Sequence, residues 1–322
     1  MRILLKEVCL LENGEIPHYW YFMVFLKMQN WLPRVANDFL VNFFSVEACM
    51  ELFNIQKRDG NIVSCVKSIP DHPTGIVIAI HGFTSSKESS TYRLLIERLS
   101  EAGFGMVGID LPGHGTGESS KETLRIPGAI DSIEAAERYV LREYPGHEVF
   151  YFGSSFGAYL IGLYISTRKH AGRKAFWRSA AVNMPDLFAK ENPTEKEKQQ
   201  LKDLETKGYF DAEMEGKRPV RVTKAFYNDL LGNDLFEIFD AENYGNHQIA
   251  MAHGRDDYVI NPDAVKQFAE KFQIPVTWFP GEGHSLSNSS STPDRVVALA
   301  IAFFRGEMGD MGEPGELGDM AL

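Results

Sequence analysis

The stretch Val149-Phe150-Tyr151-Phe152-Gly153-Ser154-Ser155-Phe156-Gly157-Ala158-Tyr159-Leu160 decides the fold. Its first four residues read as a buried strand, and the apolar run from Ala158 to Ile165 reads as a helix. Between them lies Gly-x-Ser-x-Gly. A strand that becomes a helix within two residues brings its backbone segments so close that a side chain at either glycine would clash, and the strained turn leaves the central serine at its tip. Ser155 is therefore a candidate nucleophile. The pentapeptide alone also fits an ordinary small-residue turn, so its meaning depends on what the chain places at neighbouring strand ends.

Working outward, the pattern alternates. Ile76-Val77-Ile78-Ala79-Ile80 and Gly105-Met106-Val107-Gly108-Ile109 are continuous apolar runs, expected of strands covered on both faces. Tyr92, Leu95, Ile96 and Leu99 recur at helical spacing before Gly103, and Ile133, Ala136, Val140 and Tyr144 do so before the Ser155 strand. Earlier, two strand-like runs flank Asp59-Gly60, a tight-turn dipeptide, and predict an antiparallel hairpin. Later strands are expected at 175–182, 248–252 and 275–279, with helices near 264–272 and 295–304. The sum is an α/β fold with a mostly parallel central sheet flanked by helices.

The alternation breaks over residues 185–246, where the sequence predicts a charged helix (194–206), a hairpin around Glu215-Gly216-Lys217 and a second helix (222–239). An insertion after the sixth strand with its own secondary structure reads as a lid. The expected organisation is an N-terminal extension (1–48), a first core segment (49–184), the lid (185–246), a second core segment (247–305) and a disordered, acidic, glycine-rich tail (306–322).

Composition narrows the function classes. A net charge of −11 argues against nucleic acid or an anionic membrane as partner, because both favour a basic stripe. No apolar run approaches the roughly 20 residues of a transmembrane helix. Cys9, Cys49 and Cys65 are odd in number and unpatterned, which points to a reducing, cytoplasmic setting rather than a disulfide framework or a zinc site. Neither composition nor motif decides between a monomer and a homodimer.

Three further stretches stand at strand ends. His253-Gly254-Arg255-Asp256-Asp257 follows the 248–252 strand, Gly281-Glu282-Gly283-His284 follows the last strand, and His81-Gly82-Phe83-Thr84 follows the first parallel one. With the serine turn and the loop Asp110-Leu111-Pro112-Gly113-His114-Gly115, they resemble the α/β-hydrolase superfamily over about residues 50–305. The resemblance implies a triad in the chain order serine, acid, histidine: Ser155 as nucleophile, Asp257 as acid and His284 as base. Asp256 and Asp186 are the alternative acids; His247 and His253 read as structural histidines. It also implies an oxyanion hole from the backbone N–H groups of Phe83 and Phe156.

The position of the insertion and the short His-Gly-Phe loop are similar to the cinnamoyl and feruloyl esterase branch. That similarity implies a small-molecule ester substrate with an aromatic or medium-length acyl group, with Tyr209, Phe210, Phe226 and Tyr227 as candidate substrate-binding residues. The mechanism requires no metal or other cofactor. A monoacylglycerol lipase or lysophospholipase would share every one of these catalytic residues, and a non-catalytic binding protein on the same fold is the reading from another class.

Overall fold

The computed structural model describes residues 50–190, 192–214, 217–240 and 248–307. A division by contacts falls between Cys49 and Met50. The expected N-terminal extension, His247, the Glu215-Gly216 turn and the tail beyond Glu307 lie outside the described residues.

An eight-stranded sheet has the order β1-β2-β4-β3-β5-β6-β9-β10. Its strands are β1 (Glu51–Gln56), β2 (Ile62–Ser68), β3 (Ile76–Ile80), β4 (Gly105–Ile109), β5 (Val149–Ser154), β6 (Gly172–Arg178), β9 (Ile249–Gly254) and β10 (Val276–Phe279). The Asp59-Gly60 hairpin makes β1 and β2 antiparallel, β2 pairs antiparallel with β4, and every later pair is parallel.

The helices are α1 (Ser90–Glu101), α2 (Ile126–Glu143), α3 (Phe156–Thr167), α4 (Met184–Phe188), α5 (Glu195–Thr206), α6 (Lys224–Leu231), α7 (Leu235–Ile238), α8 (Pro262–Phe272) and α9 (Thr292–Arg305). The continuous apolar run of β5 has a direct cause in this layering. Phe150 stacks on Phe304 of α9 at 5.1 Å on one face, while Tyr151 packs on Tyr164 of α3 at 6.0 Å on the other. Both faces of the strand are covered, so no polar alternation is needed.

The chain runs from β3 outward to β4 and then returns to the other side of β3 as β5. That reversal opens a crevice beyond the carboxyl ends of β3 and β5, where an open α/β sheet presents its loops to a ligand. Ile80 of β3 lies in register with Gly153 of β5, so the His81-Gly82-Phe83 loop and the Ser155 turn emerge side by side.

Two expected elements differ. The sixth strand stops at Arg178 rather than 182, because Ser179 turns into the left-handed region (φ 49). The single helix expected over 222–239 is two. Gly232 caps the end of α6, and the Asp234 side chain accepts from the Phe236 N–H to start α7. The charged helix expected over 194–206 is α5, started by a capping box of Thr194 and Glu197, and β7 (Tyr209–Ala212) pairs with β8 (Val220–Thr223) as the insertion's hairpin.

Gly108 faces the Tyr92 ring, whose hydroxyl donates to the Ala79 carbonyl at 2.6 Å, and a Cβ there would come within 2.7 Å of Tyr92 Cδ1. Gly108→Ala should therefore overpack the core and lower stability by about 1–3 kcal/mol in urea unfolding. Burial also depresses two histidines beside the β3 loop, His81 to about 4 and His114 to about 3. The unfolded chain takes up these protons near the ordinary value of 6.5 while the native chain refuses them, so native stability is full above that value and is lost as the pH falls towards 4. Thermal melts across this window should show a falling Tm, and the fall should be smaller in His114→Gln.

Candidate active site

The turn after β5 is as tight as its glycines require. A Cβ on Gly153 would lie 2.6 Å from Ala158 Cα, and one on Gly157 would lie 2.7 Å from the His81 carbonyl oxygen. Ser155 itself adopts φ 54, ψ −114, a conformation that L-residues avoid unless their surroundings impose it. Its N–H donates to the Arg178 carbonyl of the neighbouring strand at 2.8 Å, and its carbonyl accepts from the Ala158 N–H at 3.0 Å. The side chain is left half-buried at the strand end.

The three residues expected to act together are hydrogen-bonded in series. Ser155 Oγ is 2.9 Å from His284 Nε2, and His284 Nδ1 is 2.8 Å from Asp257 Oδ2. A carboxylate can only accept, so it assigns the proton to Nδ1 and leaves Nε2 free to accept the serine proton. Asp257 lies in the turn after β9, where its Oδ1 accepts from the N–H groups of Val259 and Ile260 at 2.8 and 2.9 Å. Burial works to raise its pKa, but hydrogen bonds from His253 and His284 and from the backbone hold the carboxyl well below the usual range. It is therefore an anion at neutral pH.

Asp256, one of the alternative acids, is exposed, and Asp186 sits in the first turn of the short α4; the hydrogen bond to His284 comes from Asp257. Gly254 explains how the two loops meet, since a Cβ there would lie 2.6 Å from the Gly283 carbonyl oxygen. Glu282 is buried and braces the histidine loop by accepting from Asn288 N–H, Ser289 N–H and Thr292 Oγ1 at 2.7–2.9 Å.

On the opposite side of Ser155 runs the β3 loop. A Cβ on Gly82 would stand 3.3 Å from Ser155 Cβ, so the backbone at Gly82-Phe83 passes directly against the serine. His81 Nδ1 bonds to the Gly82 carbonyl oxygen at 2.8 Å, and its Nε2 accepts from the Leu111 N–H at 3.1 Å. Holding that carbonyl fixes the Gly82-Phe83 peptide plane, and with it the direction of the Phe83 N–H. Phe156 is the first residue of α3, whose N–H has no intrahelical partner. The Asp110 carboxylate, fully buried, anchors this region through Lys87 Nζ at 2.8 Å and Lys87 N–H at 2.7 Å.

The four aromatic candidates of the insertion divide. Phe226 is fully buried and packs on Phe83, Phe156 and Phe188 at 6.0–6.3 Å, so it fastens the insertion to the β3 loop. Tyr209 lies under the Arg221 guanidinium at 3.9 Å, on the outer hairpin. Phe210 and Tyr227, with Leu187, Phe188, Leu201 and Ala212, line a cavity of about 190 Å³ between α4, α5, α6 and β7. A second groove of about 460 Å³ is bordered by Lys121, Asp211, Arg218 and Arg221, and Ser155 is among the walls of neither.

Three residues at the site are not among the expected functional residues. His253, read from sequence as structural, places Nε2 at 3.2 Å from Asp257 Oδ2 and is a second donor to the acid. Arg178 and Ser179 at the end of β6 reach the histidine loop.

The family model described as serine aminopeptidase, S33, matches residues 71–215. No curated protein sequence matches the chain. Among solved structures, the chain is similar to Est1E from Butyrivibrio proteoclasticus with ferulic acid bound, at 17% identity and a TM-score of 0.63 over 79% of this chain and 99% of that one. It is also similar to mouse alpha/beta hydrolase domain-containing protein 10, at 15% identity and a TM-score of 0.59 over 80% and 98%. The esterase domain of a Rhodothermus marinus protein aligns at 16% identity and a TM-score of 0.58 over 79% and 98%. Sheet order, the serine turn at the strand reversal and the solved-structure similarities agree on the architecture: the chain has the α/β-hydrolase fold, and its residues 71–215 resemble the serine aminopeptidase, S33, family.

Proposed function

We propose that the chain hydrolyses carboxylic esters through an acyl-enzyme on Ser155. The observation that carries this reading is the unbroken series Ser155 Oγ, His284 Nε2, His284 Nδ1, Asp257 Oδ2, with links of 2.9 and 2.8 Å. Ser155 Oγ attacks the ester carbonyl carbon as His284 Nε2 takes its proton, and the carbonyl π pair moves onto oxygen. The N–H groups of Phe83 and Phe156 receive that oxyanion. The tetrahedral intermediate collapses with expulsion of the alcohol, protonated by His284, and Asp257 stabilises the imidazolium throughout. Water then enters with His284 as base, and breakdown of the second intermediate frees the acid and Ser155.

The insertion acts in this reading as a lid. Support comes from its grip on the β3 loop: Phe226 stacks on Phe83, and Thr84 Oγ1 donates to Met214 Sδ at 2.9 Å. The 190 Å³ cavity, whose wall Phe188 packs on Phe83 of the β3 loop at 6.2 Å, would take an aromatic or medium-length acyl group between Phe210 and Tyr227, with Lys190, Glu197 and Gln200 at its polar side. Cys65, buried and with its thiol pushed up by that burial, is inert and fits the cytoplasmic assignment.

Nitrophenyl esters of increasing acyl length, methyl ferulate, a monoacylglycerol and an aminoacyl anilide, run with wild type and Ser155→Ala, test the reaction. Ester turnover should fall by about 10⁴-fold or more in the alanine variant. Ester turnover that survives the substitution would overturn the mechanism; turnover of the anilide alone would replace ester by amide. Leu201→Trp, which fills the cavity, should lower kcat/KM for the longest acyl group by about tenfold or more while the acetate stays within about twofold. Phe226→Ala should cost about 3–5 kcal/mol of stability, measured by denaturant unfolding.

A further inference from the structure

The two residues that end β6 both reach the loop carrying His284. Ser179 Oγ donates to the His284 carbonyl oxygen at 2.7 Å, and Arg178 Nη2 donates to the Ser285 carbonyl oxygen. In a regular strand, consecutive side chains point to opposite faces, so neighbours do not serve one loop. Here the left-handed conformation of Ser179 (φ 49) breaks the alternation, while its N–H still bonds the Ala252 carbonyl of β9 at 2.8 Å. A non-glycine residue in that conformation is strained, and the hydroxyl it delivers is bonded to the backbone of the expected base.

Arg178 also holds the other partner. Its Nη1 donates to Ser154 Oγ at 2.8 Å, in register beside it, and its carbonyl accepts the Ser155 N–H at 2.8 Å. One residue thus bonds the turn carrying the serine and the loop carrying the histidine. No carboxylate lies within ion-pair distance of its guanidinium among the described residues. Burial lowers its pKa to about 10, opposed by the charge of Asp257, so it stays a cation at neutral pH. The side chain is half-buried and is held by its hydrogen bonds to Ser154 and Ser285 rather than by an ion pair.

We propose that Arg178 and Ser179 are positioning residues that set the separation of Ser155 Oγ and His284 Nε2 by strapping the histidine loop to the serine turn. This rests on Ser155 and His284 being the nucleophile and base. Neither residue touches the reacting atoms; both act through His284 and the Ser155 turn. Their removal leaves the substrate's binding surfaces in place and loosens the 2.9 Å contact on which proton transfer depends.

The test is kcat and KM of the full chain on its best nitrophenyl ester, with melting curves, for Ser179→Gly, Arg178→Met, Arg178→Lys and Ser155→Ala. Glycine suits the left-handed backbone and removes the short hydroxymethyl group with its hydrogen bond. Ser179→Gly should lower kcat about five- to tenfold and Arg178→Met about 10- to 100-fold, with KM within about twofold in each. Arg178→Lys, which keeps a cation with several donors, should recover at least about half of the lost kcat on a logarithmic scale. Folded variants whose kcat stays within twofold of wild type, or whose loss appears only in KM, would overturn the inference. If Arg178→Met does not fold, Ser179→Gly and Arg178→Lys decide alone. Ester turnover persisting in Ser155→Ala would instead overturn the underlying assignment; an inactive Ser155→Ala beside unaffected strap variants would refute the strap alone.

Discussion

The structure depends on one conversion of backbone, the passage from β5 to α3 through a single residue at φ 54. That passage holds only because Gly153 and Gly157 let the helix start against the strand and against the β3 loop. It is affordable because β5 and α3 are covered on every side, so the strain at Ser155 is set against a large buried apolar surface. The same passage places Ser155 at the N-cap of α3, directly before the helix's first residue, Phe156. The proposed nucleophile and one proposed oxyanion donor are neighbours in a single turn.

Sheet topology supplies the rest. Because the chain reverses direction across the sheet at β3, the loops after β3 and β5 have no strand connection between them and stand open as neighbours. The loops after β9 and β10 come together because Gly254 lets the acid turn approach the histidine turn closely. The site therefore draws its groups from four strand ends spread along the chain from Ile80 to Phe279. Its electrostatics are arranged from below: Asp257 is kept anionic by two histidines and two backbone N–H groups, while His81 and His114 are kept neutral by burial.

Much of this was legible in the sequence, for identifiable reasons. Gly153, Gly157 and Gly254 mark close backbone approaches, and a close approach leaves glycine as its trace at a fixed offset from the functional side chain. Parallel strands buried on both faces leave continuous apolar runs, so β3, β4 and β5 could be bounded to within a residue or two. What stayed hidden lacks such a trace. The break between α6 and α7 at Gly232 lies within a run whose apolar spacing continues through it. Phe226 reads as a ligand-facing aromatic, yet burial against Phe83 depends on how the insertion docks, which no local pattern encodes. Arg178 and Ser179 contact a loop about a hundred residues away, and their types alone signal nothing, while His253 stands within the acid-loop motif, whose pattern does not show its bond to Asp257.

The central claim, that Ser155 is a nucleophile activated by His284, is tested most directly by phosphonylation. A fluorophosphonate reports the attack itself, because the serine oxygen displaces fluoride at phosphorus and stays covalently bound. Intact-mass and peptide analysis should find one phosphonyl group per chain, on Ser155, with ester hydrolysis lost in proportion. Labelling should slow by about 100-fold or more in His284→Asn, as expected when the general base is removed. An unmodified Ser155, or a label elsewhere with hydrolysis intact, would contradict the account.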